Sequence, residues 1–538
     1  PTLRRQRQMC IRDRCIINMT YSYKPISPDT GLTDPNEPKP KAVVIGAGLG
    51  GLSAAMRLGS KGYRVQIIDK LDRLGGRGSS VSKSGYRFDL GPTILTVPEV
   101  FRKLWQDCGF DFEKDVNLEA LDPFYEIRWQ DGSNFRVFKD ETEMLAEVKR
   151  KFPGDFEGYI KFLKDCEKRY LFGFEGLGRK PMNKLWDLIK EIPGFVRLRA
   201  DKSVYGHAAS RVKDPRFRMA LSFHPLFIGG DPRRVTSMYI LVSHLEKAFG
   251  VHYVQGGVQA LADAMGGVVK RQGGNIFLNQ SVQEILVDQG RASGVKLSDG
   301  RTIKSDIVVS NADPGWTYTN LIKSSKKSRW TNKKLDQSKW SMGLFVWYFG
   351  TKGTKDFWKD VGHHTIINGP RYRGLLKDIF DKKVLADDMS IYLHRPSCTD
   401  QTVAPDGSDA FYALSPVPNL KTNSPVDWKE MGDLYKEKLR RVLNEIIPGF
   451  SENIETEFTL NPEDFLSRYL SPYGAGFSLE PRIFQSAWFR PHNISEEIEN
   501  LFLVGAGTHP GAGIPSVVTS AEVMAKLIPD ASYIRLNS

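Results

Sequence analysis

The stretch that decides the fold reads Lys41-Ala42-Val43-Val44-Ile45-Gly46-Ala47-Gly48-Leu49-Gly50-Gly51, followed by Arg64-Val65-Gln66-Ile67-Ile68-Asp69. The apolar, β-branched run Ala42 to Ile45 predicts a strand, the glycines a turn, Leu52 to Leu58 a helix, and Arg64 to Ile68 a second strand. Each glycine has its own task in such a unit. Gly46 permits the tight turn, Gly48 lets the backbone approach a pyrophosphate, and Gly51 lets helix and strand pack closely. The helix start adds free amides and a partial positive charge. Glycine patterns alone are weak signals. Asp69 supplies the context, because an acid about 20 residues beyond the fingerprint, at the end of the second strand, can accept ribose hydroxyls.

Further along, residues 136 to about 235 read as mainly helical, with apolar residues at helical spacing in Met144-Leu145-Val148 and Tyr159-Phe162-Leu163. Short strands return at Val282 to Val287, Ala292 to Leu297 and, after the Asp299-Gly300 turn, Asp306 to Ser310. A last strand and helix fill Leu501 to Leu527. Nucleotide-fold signals at the start, middle and end require the second domain to be inserted in pieces.

The continuation separates one dinucleotide from another. Leu74-Gly75-Gly76-Arg77 resembles the signature shared by amine oxidases and carotenoid desaturases, in which a second glycine turn and an arginine reach the flavin nucleotide of FAD. An arginine fork suits pyrophosphate oxygens. Phe88-Asp89-Leu90-Gly91-Pro92-Thr93 is similar to the family segment running beside the flavin ring. At the far end, Gly505-Ala506-Gly507-Thr508-His509-Pro510-Gly511-Ala512-Gly513-Ile514-Pro515 follows a strand pattern and opens a helix, whose start can stabilise negative charge on a reduced ring. The cofactor-binding set implied by the resemblance is Gly46, Gly48, Gly51, Asp69, Gly75, Gly76, Arg77, Gly91, Pro92, Thr93, Val282, Gly505, Gly507, Gly513, Ile514 and Pro515.

Outside these motifs the chain resembles the bacterial phytoene desaturases over nearly its whole length from Lys41. The segments that carry this are Ser222 to Leu226 with Gly229-Gly230, Gly369 to Arg373, Leu414 to Pro418, Ala475 to Pro481 and, above all, Gln485-Ser486-Ala487-Trp488-Phe489-Arg490-Pro491-His492-Asn493. The resemblance implies an α/β fold: a Rossmann-like FAD-binding domain, an inserted discontinuous α+β substrate domain and a mainly helical membrane-associated region. The expected pieces are FAD-binding at 41–135, 236–315 and 489–538, helical and membrane-associated at 136–235, and substrate-binding at 316–488.

The implied reaction is successive desaturation of phytoene towards neurosporene or lycopene. Phytoene has no polar handle, so an apolar tunnel must hold it. Moving it from bilayer to tunnel exchanges one apolar environment for another, so burial worth about 0.8 kcal/mol per methylene from water contributes little. A candidate membrane dock is Met182 to Arg197, where Leu185, Trp186, Leu188, Ile189, Ile192, Phe195 and Val196 alternate with Lys184, Lys190 and Arg197; Pro193-Gly194 should end or kink it. Core packing is the bland alternative for this helix. Hydride transfer from an allylic carbon to the flavin, with loss of a neighbouring proton, needs no strong protein base, since the polyene spreads cationic character. Asp214 and Arg218 are the candidate polar participants, against a plain ion pair one helical turn apart. His224 reads as a hydrogen-bonded structural histidine. Oxygen or a membrane quinone would reoxidise the flavin.

Composition narrows the remainder. A chain of 538 residues, 40% hydrophobic and 26% charged, has the balance of a globular protein of two or three domains. The net charge is +13, of which Arg4, Arg5, Arg7, Arg12 and Arg14 against Asp13 supply +4. Residues 1–18 read as non-native, because Arg5 to Arg14 resembles a translated sequencing-adapter remnant and Met19 is a plausible start. The proline-dotted stretch from 21 to 40 reads as an unstructured tail, completing a leader at 1–40. The basic remainder suits anionic lipid heads, with no nucleic-acid module beside it. Cys10, Cys15, Cys108, Cys166 and Cys398 have no metal-ligand spacing, so neither a metal site nor a disulfide framework is expected. The expected location is the cytoplasm, peripheral on the cytoplasmic membrane, with an oligomer left open. Two other readings share the cofactor motifs: an amine-oxidase-like or protoporphyrinogen-oxidase-like enzyme, and a prenyl-binding carrier similar to the dissociation inhibitors of small GTPases.

Overall fold

In the computed structural model, which describes residues 39–323 and 329–532, Lys41–Ile45 is the central strand of a five-stranded parallel sheet. The spatial order is Asn275–Phe277, Arg64–Ile68, Lys41–Ile45, Ile307–Ser310, Leu501–Leu503. Segments from the start, middle and end of the chain therefore converge in one sheet. Both faces of such a sheet must be covered. Ala42 and Val44 face the cluster that includes the Leu49–Ser60, Val258–Arg271 and Ile514–Ala525 helices; Val43 and Ile45 face a second cluster with Ile285, Val295 and Trp330. This two-sided burial explains the uninterrupted apolar run.

The second large element is a seven-stranded sheet in the order Ile454–Leu460, Gly343–Thr351, Asp409–Val417, Ile391–His394, His364–Asn368, Tyr125–Trp129, Asn134–Val137. Every residue of Gly343–Thr351 is buried. Phe345, Trp347 and Phe349 pack under the Trp428–Ile446 helix, whose first amides Asp427 caps, while Leu344, Val346 and Tyr348 point the other way. One face of the sheet is thus a conventional core. The other becomes a cavity wall.

Two expectations need correction. Tyr125–Trp129 pairs with His364–Asn368 in the large sheet, so the first FAD-binding piece stops short of residue 125 rather than running to 135. Of the two outcomes expected at Pro193-Gly194, an end or a kink, the end does not occur: the Leu185–Arg197 helix continues through Pro193. Gly194 seats the ring of Phe172: a Cβ there would lie 2.2 Å from Phe172 Cε2. The readings of residues 1–18 and of the tail up to Pro38 fall outside the described residues. Among the described residues no helix is long and apolar enough to cross a membrane. Cys108, Cys166 and Cys398 are free thiols.

Candidate active site

A single cavity of about 700 Å³ runs from the glycine turn of the first strand, past the large sheet, to the Leu185–Arg197 helix. At its polar end the turn is built as its glycines require. Gly46 has φ +95°, and a Cβ on Gly51 would lie 1.9 Å from the Gly46 carbonyl oxygen, so the helix can sit this close only with glycine there. Asp69 Oδ2 accepts from Ala47 N at 2.6 Å and Oδ1 from Leu71 N at 2.7 Å. Burial raises its pKa against the opposing pull of those amides.

Arg77 is the cation of this end. Its Nη2 donates to Ser471 Oγ at 2.8 Å, and its pKa is lowered by burial. Among the described residues Arg77 Nε and Arg468 Nε are buried without a partner, and both arginines line the cavity. Buried donors left unpaired are costly, and an anionic group would answer them. The residues present therefore fit the diphosphate of FAD.

Of the expected cofactor residues, Gly46, Gly48, Asp69, Gly75, Gly76, Arg77, Gly91, Pro92, Thr93, Val282, Gly505, Gly513, Ile514 and Pro515 line the cavity. Gly51 and Gly507 do not. Gly51 is the helix–strand contact just described, and a Cβ on Gly507 would meet Pro314 Cδ at 2.3 Å, so this glycine serves packing rather than the cofactor. Asn311 was missed. Its amide sits beside Gly46, Gly48 and Gly50, and the signal available was its position one residue after the Ile307–Ser310 strand.

The terminal loop is held from outside. Arg490, fully buried, donates to the carbonyls of Thr508 at 3.1 Å, Ala506 at 2.8 Å, Leu479 at 3.2 Å and Gln485 at 3.2 Å. Asn493 Nδ2 adds His509 O at 3.0 Å and Ser520 O at 3.2 Å. This is why the Gln485–Asn493 segment accompanies the terminal glycines.

Beyond Thr93 the wall turns apolar. Tyr392 and Tyr412 place their hydroxyls 3.0 and 2.8 Å from Thr93 Oγ1, and Tyr348 donates to Leu90 O at 3.3 Å. With their hydroxyls tied into the wall, these tyrosines offer the cavity mostly ring surface. Leu344, Val346 and Leu414 continue it. Among the described residues the carboxylates on the wall are Asp69, Asp313 and Glu246. Burial raises the pKa of Asp313; Glu246 holds Tyr125 Oη at 2.9 Å and His224 Nε2 at 3.0 Å. His224 is thus a hydrogen-bonded structural histidine.

Asp214 and Arg218 are not on the wall. Asp214 caps the Pro215–Ser222 helix, accepting from Arg216 N and Phe217 N, and Arg218 Nε donates to Val212 O at 3.0 Å. The pair forms neither a polar participant at the cavity nor the ion pair that its spacing allowed, because capping and a loop carbonyl claim both groups first.

Buried histidines give the fold an acid limit. Burial lowers His509, on the cavity wall, to about 4, and His207 to about 4. Both bind fewer protons folded than unfolded below their ordinary value of about 6.5, so stability is present above that pH and is lost as pH falls towards 4. Thermal scans are expected to show the melting temperature falling steadily across this window.

A dinucleotide cradle opening directly onto a hydrocarbon-lined chamber defines a class, the FAD-dependent oxidoreductases. The flavin containing amine oxidoreductase model matches residues 49–528. The chain is 63% identical over 495 residues, 92% of this chain and 96% of the relative, to the neurosporene-forming phytoene desaturase of Cereibacter sphaeroides. It is 40% identical over 488 residues, 90% of this chain and 97% of the relative, to a lycopene-forming phytoene desaturase of a Paracoccus species. In fold alone it resembles an oxidoreductase from Methanosarcina mazei (TM-score 0.60, 18% identity, 90% of this chain and 100% of that one) and cyclohexylamine oxidase from Brevibacterium oxydans (TM-score 0.59, 14%, 93% and 100%). The chain belongs to the flavin-containing amine oxidoreductases and, within them, to the bacterial phytoene desaturases. The carrier reading without redox chemistry gives way to this assignment.

Proposed function

We propose that this enzyme desaturates phytoene and stops at neurosporene, working from a membrane surface. The observation that carries the substrate is the wall of the cavity: tyrosines with engaged hydroxyls and aliphatic side chains, which suit a polyene with no polar group. Support for the product is the 61–63% identity to neurosporene-forming relatives, against 38–40% to lycopene-forming ones. When bound, FAD supplies the two-electron oxidation. The chain's own residues keep the polyene extended beside the Gly91–Thr93 segment and exclude water from it. Co-expression with a phytoene-producing pathway in a colourless bacterium is expected to give pigment whose chromatography identifies neurosporene; unchanged phytoene would sink the reading. Leu344→Trp, which fills the chamber without touching the nucleotide end, is expected to keep FAD and reduce desaturation at least about tenfold.

The mouth supports the membrane proposal. Leu188, Ile192 and Phe195 line the cavity from the Leu185–Arg197 helix, and Phe484 and Phe489 line it from the neighbouring segment. Around them Trp186 is 60% exposed, Val196 66% and Phe484 73%. Core packing does not account for a helix with no buried residue. Phe195 packs edge-on to Phe172, so Trp186 and Val196 are the sharper probes. Trp186→Ser with Val196→Ser is expected to weaken sedimentation with anionic liposomes at least about tenfold, at roughly 1.5–3 kcal/mol per apolar side chain. Undiminished binding would remove the dock. We place the enzyme on the cytoplasmic face of the membrane, with a quinone or oxygen as acceptor.

A further inference from the structure

Behind the wall that Tyr392 and Tyr412 present to the cavity, three histidines that desaturation does not use meet in the interior: His363, His364 and His394. His364 and His394 are register partners on adjacent antiparallel strands, and His363 stands just ahead of the first. All three are buried, and each can bring a ring nitrogen within 4.8 Å of the other two. Their ring centroids are 4.5, 4.9 and 5.3 Å apart. Three imidazoles sharing one tetrahedral ion through bonds of about 2.0–2.1 Å place their centroids roughly 5 Å apart.

The outer nitrogens are held as those of ligating imidazoles are held. His363 Nδ1 lies 2.7 Å from Thr399 Oγ1, and His364 Nδ1 lies 2.7 Å from Tyr392 Oη. A proton donated outward at Nδ1 leaves the lone pair at Nε2 and fixes the ring's orientation. His363 Nε2 and His394 Nε2 approach to 3.0 Å, and His364 Nε2 and His394 Nδ1 have no partner among the described residues. An unpaired buried polar nitrogen costs about 1–3 kcal/mol, which an ion would convert into a bond. The Asp400 carboxylate places negative charge near His363.

We propose that His363, His364 and His394 together bind one divalent transition-metal cation of the zinc class. Three neutral nitrogen donors without a carboxylate among them select such an ion over calcium or magnesium, which require oxygen. The ion would fasten two strands of the large sheet. Through His364, Tyr392 and Thr93 it would also stiffen the wall where the polyene lies.

The test uses the full-length holoenzyme, expressed in minimal medium containing either Zn²⁺ or Co²⁺ and passed over chelating resin. One metal per chain is expected by elemental analysis, with visible d–d bands for the cobalt form. In His364→Gln/His394→Gln, and separately in His363→Gln, bound metal is expected to fall at least about tenfold. Wild-type protein free of metal from both media overturns the proposal, as does a folded variant that retains its metal. Should the variants fail to fold, pulsed EPR of wild-type cobalt protein decides it: imidazole nitrogen coupling supports the site, and its absence overturns it.

Discussion

Arg490→Met is expected to give a chain that accumulates mostly as insoluble, FAD-free protein. The guanidinium donates to four backbone carbonyls in the interior, and methionine replaces its aliphatic stem while donating nothing. At about 1–3 kcal/mol for each buried group left unpaired, the loss is comparable to the whole stability of a typical domain, about 5–15 kcal/mol. Two of the orphaned carbonyls, those of Ala506 and Thr508, belong to the loop that closes the cofactor end, so cofactor retention fails with stability. Soluble yield, flavin absorbance and melting temperature check this. Arg490→Lys restores the charge but not the fork and should recover only part of the loss. A yellow Arg490→Met protein that melts with the parent would show that this arginine does not hold the terminal loop.

Arg77→Met should separate cofactor binding from folding. Among the described residues the Arg77 side chain makes one hydrogen bond, to Ser471, while its Nε is unpartnered on the cavity wall. Removing it therefore costs the fold little. Charge-assisted hydrogen bonds are worth about 1.5–3 kcal/mol each, so FAD affinity is expected to fall about 100-fold. Titration of apoprotein with FAD, followed by flavin fluorescence, gives the ratio, and far-ultraviolet circular dichroism reports the fold. A dissociation constant within threefold of the parent would place the diphosphate elsewhere.

Both arginines were visible in the sequence, though not equally legible. Arg77 stands in a glycine signature, and the resemblance to amine oxidases and carotenoid desaturases implied its partner. Arg490 stood in the segment most distinctive of the desaturases, yet its four acceptors come from residues 479, 485, 506 and 508, and nothing local announces them. Asp214 shows the opposite failure. An acid four residues before an arginine reads as a pair, but a helix start competes for the same carboxylate, and here the amides of Arg216 and Phe217 take it.

The glycine turn, the strands on either side of it and Asp69 at the end of the second were legible in the sequence itself, because they depend on short-range backbone geometry and on two-sided burial that leaves continuous apolar runs, whereas the places of Arg77 and the chain's end on the same cavity wall were legible only through the resemblance. Only the tertiary structure decided which carboxylates reach the cavity, which face of Gly343–Thr351 becomes its wall, and that His394 meets His363 and His364. Strand alternation specifies two faces but not what covers each, and a cross-strand register joins residues whose separation along the chain carries no periodic signal.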